Sequence, residues 1–577
     1  MVTAIRLLLF FISNLGWWEV IRKKTDVSVF FIPSLAIAIQ VSILFLCGLL
    51  NLLPEGAYAL CLGGICVVIY KIWKNREARF SNFIRPYCNA GFLFFVILLI
   101  AIALSLKGKI FTHYDNFSHW ALVVKRMLEI NRYPNFKDVI IFFPAYPLGS
   151  ATFIYYFAKI VGSAESLQML AQVYFMLTCI LPLFIFAEKS KFCGFIIILS
   201  ATNFFLTYNI PVSELLVDTL LPLAGMCGIL FAVLYCGKSC DEKKAVAAAY
   251  YAVLVVQVKN SGLLFAVVIS VWILFYARKI KISFRMLCAA APFFSFALWK
   301  RHCDYVFDSA EWSRHALSFS NYKTVYAAKS SDEIRTIAKS MLQFIVSFKD
   351  MWFTLLMFLI LGIMILLFAK KEFSLFKRGL LASLILYMVY QIGMLGMYIF
   401  SMPGEEATSL AENVRYAKTI IIAIVYLYLV LALKTVSAID RSQKTLRLFS
   451  TTGIALLICL FLFLSVEKVQ NVLNNTYLTD PSKRLWFEAA IKEYNVPPEE
   501  SYSILAPEND GGYSYFLGRY ILQSTSISYV VADDTSELDR IKGDYIFVYD
   551  DDNELIKTWI AEKYPEQIDA RVIITGK

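Results

Sequence analysis

Long apolar runs, separated by short polar stretches, recur along the chain up to about residue 466. Most runs are close to twenty residues, which is the helix length that crosses the hydrocarbon layer of a bilayer. The pattern therefore predicts an all-α polytopic membrane protein with about 13–14 transmembrane helices. The predicted apolar segments are 27–52, 56–73, 88–107, 166–187, 192–210, 215–236, 243–258, 261–278, 284–300, 350–369, 379–400, 417–434 and 449–466.

Two stretches depart from this simple pattern. The N-terminal run 1–18 is hydrophobic like a signal peptide, but it lacks a clear small-residue cleavage site. We interpret it as a first membrane segment. The run 146–162, which begins Tyr146-Pro147, has too few apolar residues for a full crossing. We predict a re-entrant or interfacial helix there.

The composition changes from about residue 477. The segments KRLWFEAAIKEY and NELIKTWIAEKY predict helices, whereas SYSILAP and DYIFVYDDD predict strands. We expect a small α/β domain at 477–577, after additional N-terminal segments at 1–87 and a transmembrane core at 88–470. The acidic run 550–552 follows a predicted strand and is either a metal site or a solvated turn.

Composition and charge support the membrane interpretation. Hydrophobic residues make up 59% of the 577 residues and charged residues 17%, whereas roughly a quarter of an ordinary soluble domain is charged. The formal net charge is +11, but the basic residues lie in short loops, where they set topology and do not indicate nucleic acid as a partner. Most of the twelve Cys lie inside apolar runs, with no CxxC pair, and are interpreted as small buried hydrophobic residues.

The distribution of Lys and Arg assigns each loop to one side of the membrane. The basic loops, expected to be cytoplasmic, are 71–85, 238–244, 278–285, 370–378 and 434–447. Alternation of sides then predicts an extracytoplasmic position for 108–148, 211–214, the tip near Lys259, 301–349, 401–416 and the C-terminal domain.

Ionisable residues lie at the ends of apolar runs on the predicted extracytoplasmic side, where charges are costly unless they are used. They are Asp115, His119, Glu214, Asp218, Lys259 and Arg415. The i, i+4 spacings within the first four would place each pair on one helix face. Structural explanations stay open, because acidic residues favour helix N-termini and a lysine at a hairpin tip can simply extend to the interface.

This set of side chains has the chemistry needed to transfer a group from a phosphate. Asp115 could take the proton of an attacking hydroxyl, and Lys259 and Arg415 could stabilise a departing phosphate. The side chains that could complete a divalent metal site for Mg²⁺ or Mn²⁺ are Asp218, Glu214 and His119. The neighbouring aromatic residues Tyr114, Phe117 and Trp120 could stack on a sugar ring or anchor the loop at the interface.

The order of these features resembles the GT-C superfamily of membrane glycosyltransferases. Matching stretches are YDNFSHWALVVKRM, AYPLGSATFIYYF, SELLVDTLLPL, VKNSGLLF and MYIFSMPGEEATSLAENVRYAK, within roughly residues 88 to 466. They look like bacterial membrane proteins linked to cell-envelope polysaccharide synthesis. The resemblance implies that Asp115 is catalytic, that Asp218 is the second-loop acid that helps some relatives hold metal, and that Arg415 meets the carrier phosphate. Asn116 departs from the pattern, because many relatives carry paired acids there.

From this resemblance we expect an inverting glycosyltransferase that takes sugar from a polyprenyl-phosphate donor and acts on the extracytoplasmic face of a bacterial cell membrane. The acceptor would be a glycan or a lipid. The residues expected to bind the substrate or the donor phosphate are Lys259, Arg415, His119, Glu214 and Tyr146; of these, Lys259 and Arg415 would hold the phosphate, and Glu214 with Asp218 would support the base or a metal. The alternatives are a transporter or flippase of lipid-linked glycans, a polymerase or ligase using the Arg- and His-containing loop 301–349, and a non-enzymatic scaffold. A transporter would more often show internal repeats, which we do not detect.

Overall fold

The computed structural model describes residues 2–74, 83–187, 191–307, 319–438, 481–506, 509–531, 535–538, 541–549 and 553–575. Most of them are helical, so the predicted helical class is confirmed for this part of the chain. The helices up to residue 438 are Val2–Thr25, Ile32–Leu49, Leu53–Lys74, Ala90–Leu106, Ala121–Ile130, Gly149–Val161, Glu165–Ile180, Lys191–Thr207, Leu220–Tyr235, Glu242–Val258, Leu263–Tyr276, Ile282–Val306, Phe319–Ala327, Ser331–Ser347, Lys349–Phe368, Phe373–Phe400, Gly404–Thr408 and Asn413–Ala438.

Among the described residues, eight helices or helix pairs are long and apolar enough to cross a membrane, and shorter apolar helices accompany them. Their length and composition are compatible with a multi-pass membrane protein. The predicted apolar segment 449–466 and most of the basic loop 434–447 lie outside the described residues.

The N-terminal segment is a helix that packs within the bundle. Val2–Thr25 lies along Leu53–Lys74, and the two backbones meet at Gly16 and Gly64. A Cβ atom added to Gly16 would lie 2.0 Å from the carbonyl oxygen of Gly64, so only glycine permits this approach. The additional segments of region 1–87 are therefore packed against one another through small residues.

The helix that follows Tyr146-Pro147 is short and internal. Gly149–Val161 has 13 residues, or about 20 Å of helix, against roughly 30 Å of hydrocarbon thickness. Its residues Phe153 and Tyr156 are fully buried. This length agrees with the prediction that the segment does not cross. A Cβ atom on Gly149 would lie 2.6 Å from the carbonyl oxygen of Gln257, so its start abuts the end of Glu242–Val258.

The predicted outer loop 301–349 is largely helical where it is described. Ile282–Val306 extends into it, and the helices Phe319–Ala327 and Ser331–Ser347 follow. Ser330 and Glu333 form a reciprocal capping box that fixes the start of the last of these. Helix Ser331–Ser347 then packs against Phe373–Phe400 and Gly404–Thr408.

The C-terminal domain is an α/β unit, as predicted. Its described strands are β1 (Tyr502–Ala506), β2 (Ile527–Val531), β3 (Tyr545–Val548) and β4 (Val572–Ile574), in the order β2-β1-β3-β4. β1 pairs in parallel with β2 and β3, and β4 is antiparallel to β3. The helices are Pro481–Tyr494, Tyr513–Leu522, Thr535–Leu538 and Glu554–Lys563. Both predicted helices and both predicted strands are present; β2, β4 and helix Tyr513–Leu522 were not predicted, and residues 550–552 lie outside the described range.

Candidate functional site

Asp115 lies at the start of an unusual helical turn. It directly precedes a π-helical turn at Asn116–Trp120, which leads into the helix Ala121–Ile130. Such turns are rare and often occur at functional sites. The Asp115 carboxylate accepts a hydrogen bond from the guanidinium of Arg415, which lies in the first turn of Asn413–Ala438. Residues 300 positions apart therefore form one ion pair.

Lys259 forms a second ion pair with Asp218. Its ammonium donates to the Asp218 carboxylate at 2.9 Å, and the Asp218 side chain is only 3% exposed. Lys259 follows the end of helix Glu242–Val258, where the chain folds back on itself. A Cβ atom on Gly262 would lie 1.9 Å from the carbonyl oxygen of Val255, so this fold requires glycine.

Tyr416 joins the two ion pairs into one cluster. The Lys259 ammonium and the Arg415 guanidinium each lie 5.3 Å from the centre of the Tyr416 ring. Both contacts are within cation–π range. The four predicted residues Asp115, Asp218, Lys259 and Arg415 thus come together around a tyrosine that the sequence reasoning did not single out.

The charges within this cluster stabilise one another. Burial alone would raise the pKa of Asp218, but the nearby Lys259 and Arg415 outweigh it and lower the pKa below its ordinary value. Asp218 is therefore ionised throughout the physiological range. The cluster combines two carboxylates with two cations, and its cationic half provides the positive charge that a phosphate ligand requires.

His119 and Tyr146 lie beside the cluster in an aromatic environment. The His119 ring is 4.9 Å from that of Tyr146 and 5.8 Å from that of Phe143, and the residue is 3% exposed. Burial lowers the pKa of His119 to about 3, so its imidazole is neutral near pH 7. His119 consequently does not provide a fixed positive charge for a phosphate. Its Nδ1 has no hydrogen-bond partner among the described residues.

Glu214 packs against the loop that carries Asp115. Among the described residues, its side chain makes no contact with either ion pair. It accepts hydrogen bonds from the Asn116 amide and, at 3.3 Å, from the Thr112 hydroxyl. The backbone N–H of Leu215 in turn donates to the Asn116 oxygen at 3.1 Å. The predicted i, i+4 helix of Glu214 and Asp218 is absent there, since the helix begins only at Leu220. Glu214 holds Asn116, and thereby the loop that carries Asp115.

Glu214 should make the stability of the protein pH-dependent. Burial raises its pKa to about 8 from an ordinary value of 4.5. Between these two pH values the folded protein therefore keeps a proton on Glu214 that the unfolded chain releases. This stabilisation is complete below about pH 4.5 and is lost as the pH rises through about 8. Glu214→Gln should remove this loss while keeping the Asn116 contact. Thermal unfolding in detergent across this range would measure it; an unchanged pH dependence in the variant would contradict this assignment.

The described residues do not fit a metal ion in this arrangement. No group of three or more His, Cys, Asp or Glu side chains in the described part of the chain is placed to hold one. Asp115 and Asp218 are each occupied by a cation, Arg415 and Lys259 respectively. The Mg²⁺ or Mn²⁺ expected from the sequence stays an untested prediction, and the chemistry below does not use it.

The C-terminal domain packs directly onto the loop that carries Asp115. Arg484 makes a two-pronged ion pair with Glu165 at 2.8 Å and 2.9 Å, and also donates to the carbonyl oxygen of Phe111 at 2.6 Å. The Tyr513 hydroxyl donates to the carbonyl oxygen of Thr112 at 3.1 Å. These contacts fix the chain three to four residues before Asp115.

Aromatic residues around Asp115 extend this interface. Tyr114 packs edge-on against Phe516 at 5.0 Å between ring centres, and Phe117 lies 5.2 Å from Tyr520. The sequence suggested that these rings would stack on a sugar or anchor the loop at the membrane–water interface. In the structure, Tyr114 and Phe117 anchor the C-terminal domain.

Removing Arg484 should loosen this attachment. The Arg484 side chain is buried, so Arg484→Met should cost about 3 kcal/mol by leaving Glu165 without its cation. Hydrogen–deuterium exchange in the segment 107–120 should then be faster. The matched control is Lys557→Met, which removes an exposed pair with Glu554 on the same domain and should cost less than about 1 kcal/mol. Equal exchange in the two variants would contradict a role for Arg484 in holding the loop.

The polymerase or ligase alternative depended on basic residues of the loop 301–349. Arg301 and His302 belong to helix Ile282–Val306, and the His302 ring stacks on Trp299 at 5.5 Å. Arg314 and His315 lie outside the described residues. Among the contacts of the described residues, none joins Arg301 or His302 to Asp115.

Comparisons of the chain with protein-family models, with curated proteins and with solved structures give no match. The resemblance to the GT-C superfamily accordingly stays a prediction from the sequence.

Proposed function

We propose that this chain is an integral membrane glycosyltransferase that moves a sugar from a polyprenyl-phosphate carrier to a glycan or lipid acceptor. The observation that carries the proposal is the cluster of the Asp115–Arg415 and Asp218–Lys259 pairs around Tyr416. Four separate segments of the chain supply two carboxylates, one of them the proposed base, and two cations to one place. Such an arrangement is costly to assemble from buried charges and is typical of a site that uses them.

In the proposed reaction, Asp115 accepts the proton of the acceptor hydroxyl as its oxygen attacks the anomeric carbon. The bond from that carbon to the carrier phosphate breaks at the same time, so the configuration inverts. Arg415 and Lys259 stabilise the charge that develops on the departing phosphate. Asp218 keeps the Lys259 ammonium in position, and Glu214 and Asn116 hold the loop of Asp115.

The membrane location is part of the proposal. It is supported by the eight described helices of membrane-crossing length and composition and by the Lys- and Arg-rich loops, which we assign to the cytoplasm. Arg415 lies at the start of Asn413–Ala438, and the basic loop 434–447 begins at the other end of that helix. Asp218 and Lys259 adjoin the ends of Leu220–Tyr235 and Glu242–Val258 that are opposite the basic loop 238–244. The site and the C-terminal domain would then face the outside of a bacterial cell membrane, where the carrier-linked sugar is presented.

Purified protein incubated with a panel of polyprenyl-phosphate sugars and saccharide acceptors tests the proposed activity. We expect release of the bare carrier phosphate with at least one donor. Absence of release with every donor, from a protein that unfolds cooperatively, would contradict the proposal. Transport of an intact lipid-linked glycan across vesicles, without its cleavage, would favour the flippase alternative.

A further inference from the structure

An open cavity of about 450 Å³ borders the candidate site at Arg415. It lies between helix Ser331–Ser347 and the segment that leads into helix Asn413–Ala438. Both walls belong to loops predicted to be extracytoplasmic. The volume lies within the roughly 300–1,000 Å³ that small-molecule pockets occupy.

The lining of this cavity combines polar and apolar surface and is nearly neutral overall. Its polar side chains are the hydroxyls of Ser340, Ser347 and Ser409 and the amides of Gln343 and Asn413. Its charges are those of Glu412 and Arg415, which lie 3.2 Å apart and compensate one another. Hydroxyls and amides both donate and accept hydrogen bonds, as a polyhydroxylated ligand requires. Phe344, Leu410 and Val414 complete the lining with apolar surface, on which the C–H face of a sugar ring can pack.

Asn413 provides an independent sign of a missing ligand. The residue is 5% exposed, and its side-chain oxygen has no hydrogen-bond partner among the described residues. Buried polar atoms in folded proteins are nearly always paired, and an exception calls for an explanation. Rotation of the Asn413 side chain toward the cavity would let a hydroxyl of a ligand there supply the absent donor.

The backbone of the cavity wall is held in a disfavoured conformation. Leu410 has φ 50° and Glu412 has φ 60°, in the left-handed region that non-glycine residues rarely adopt. Both residues line the cavity. Conformations of this kind are concentrated at ligand clamps and active sites, where the surrounding structure maintains them.

We propose that this cavity binds an uncharged saccharide ring, namely that of the acceptor. The inference rests on the proposed function, because Arg415 belongs both to the cavity wall and to the Asp115 ion pair. A sugar held there presents its hydroxyls next to the proposed base. Gln343, Ser347 and Ser409 contribute to the open side of the cavity, so a soluble glycan reaches it without passing through the hydrophobic layer.

The test measures binding without transfer. A panel of neutral and N-acetylated methyl glycosides is added to the detergent-solubilised full chain, and saturation-transfer NMR records contact with the ring protons. We expect binding by the natural chain and at least a tenfold weaker signal in Ser409→Trp, which fills the cavity from its exposed side. Ser331→Trp is the matched control, nine residues away from Ser340 on the same helix, and should bind like the natural chain.

A second variant separates binding from structure. Asn413→Leu removes the unpaired buried side-chain oxygen, so its unfolding midpoint should be equal or higher while saccharide binding falls about tenfold. A falling midpoint with unchanged binding would overturn the proposal, as would binding of no glycoside or equal binding in Ser409→Trp. Binding of undecaprenyl phosphate at the cavity, without binding of any glycoside, would also overturn it. Because no donor is present, these outcomes are independent of whether Asp115 supports transfer.

Discussion

Replacing Asp115 with Asn is expected to slow sugar transfer by about 10²–10⁴-fold, which is the usual contribution of a positioned general base. The amide has the shape of the carboxylate but cannot take the proton of the attacking hydroxyl. Arg415 keeps Glu412 at 3.2 Å as a remaining partner, so the fold should be retained. Carrier release measures the transfer, and the midpoint of thermal unfolding measures the integrity of the fold.

The matched control for this variant is Asp332→Asn. Asp332 is a strongly exposed acid in a different predicted extracytoplasmic loop, 301–349, and its ion pair with Arg335 lies on the surface. Its removal should leave transfer unchanged. Natural activity in Asp115→Asn would remove Asp115 from the reaction, and the proposed mechanism with it.

The Lys259→Met variant should lose about 3–5 kcal/mol of unfolding free energy, the usual cost of removing one partner of a buried ion pair. Asp218 is 3% exposed and would lose the ammonium that donates to it at 2.9 Å. The double variant Lys259→Met with Asp218→Asn should regain most of this loss, because it removes the buried charge as well. Chemical unfolding in detergent micelles measures all three proteins. Transfer should be weak in both variants, since the donor phosphate loses a cation.

Lys339→Met provides the comparison for Lys259→Met. Lys339 is exposed on helix Ser331–Ser347, and such surface changes usually stay within about 0.5 kcal/mol. If Lys259→Met were as stable as Lys339→Met, the Lys259–Asp218 pair would not hold the cluster together. Lys259 and Arg415 would then not belong to one stabilised cluster.

The sequence predicted which charged residues lie together better than it predicted how they pair. Asp115, Lys259 and Arg415 were identified because charges at the ends of apolar runs are costly, and this physical rule is local enough to apply to a sequence. Which carboxylate pairs with which cation depends on how helices distant along the chain pack. Asp218 was expected to bind metal but contacts Lys259, and that pairing is a property of the tertiary structure alone.

Glu214 shows where spacing misled the prediction. An i, i+4 spacing puts two side chains on one face only within a helix, and the helix begins at Leu220. In the turn before it, Glu214 faces Asn116. Asn116 appeared in the sequence as a departure from paired acids, and its contact with Glu214 gives it a structural explanation.

The position of the C-terminal domain could not be predicted from its own sequence. Its strands and amphipathic helices have clear periodicities, but the contact of Arg484 with Glu165 joins residues more than three hundred positions apart. A basic residue on an amphipathic helix is usually solvated, so Arg484 carried no local signal. Tyr416 was missed for a similar reason, since a tyrosine beside Arg415 is unremarkable until Lys259 approaches the same ring.

Arg415 pairs with one oxygen of the Asp115 carboxylate, the group that would take the acceptor's proton in the proposed reaction. A carrier-linked sugar that draws the guanidinium toward its phosphate would uncover that oxygen at the moment the donor is in place. Binding of the donor would then be the first step of turnover. In a membrane that contains little lipid-linked sugar, the protein would be inactive.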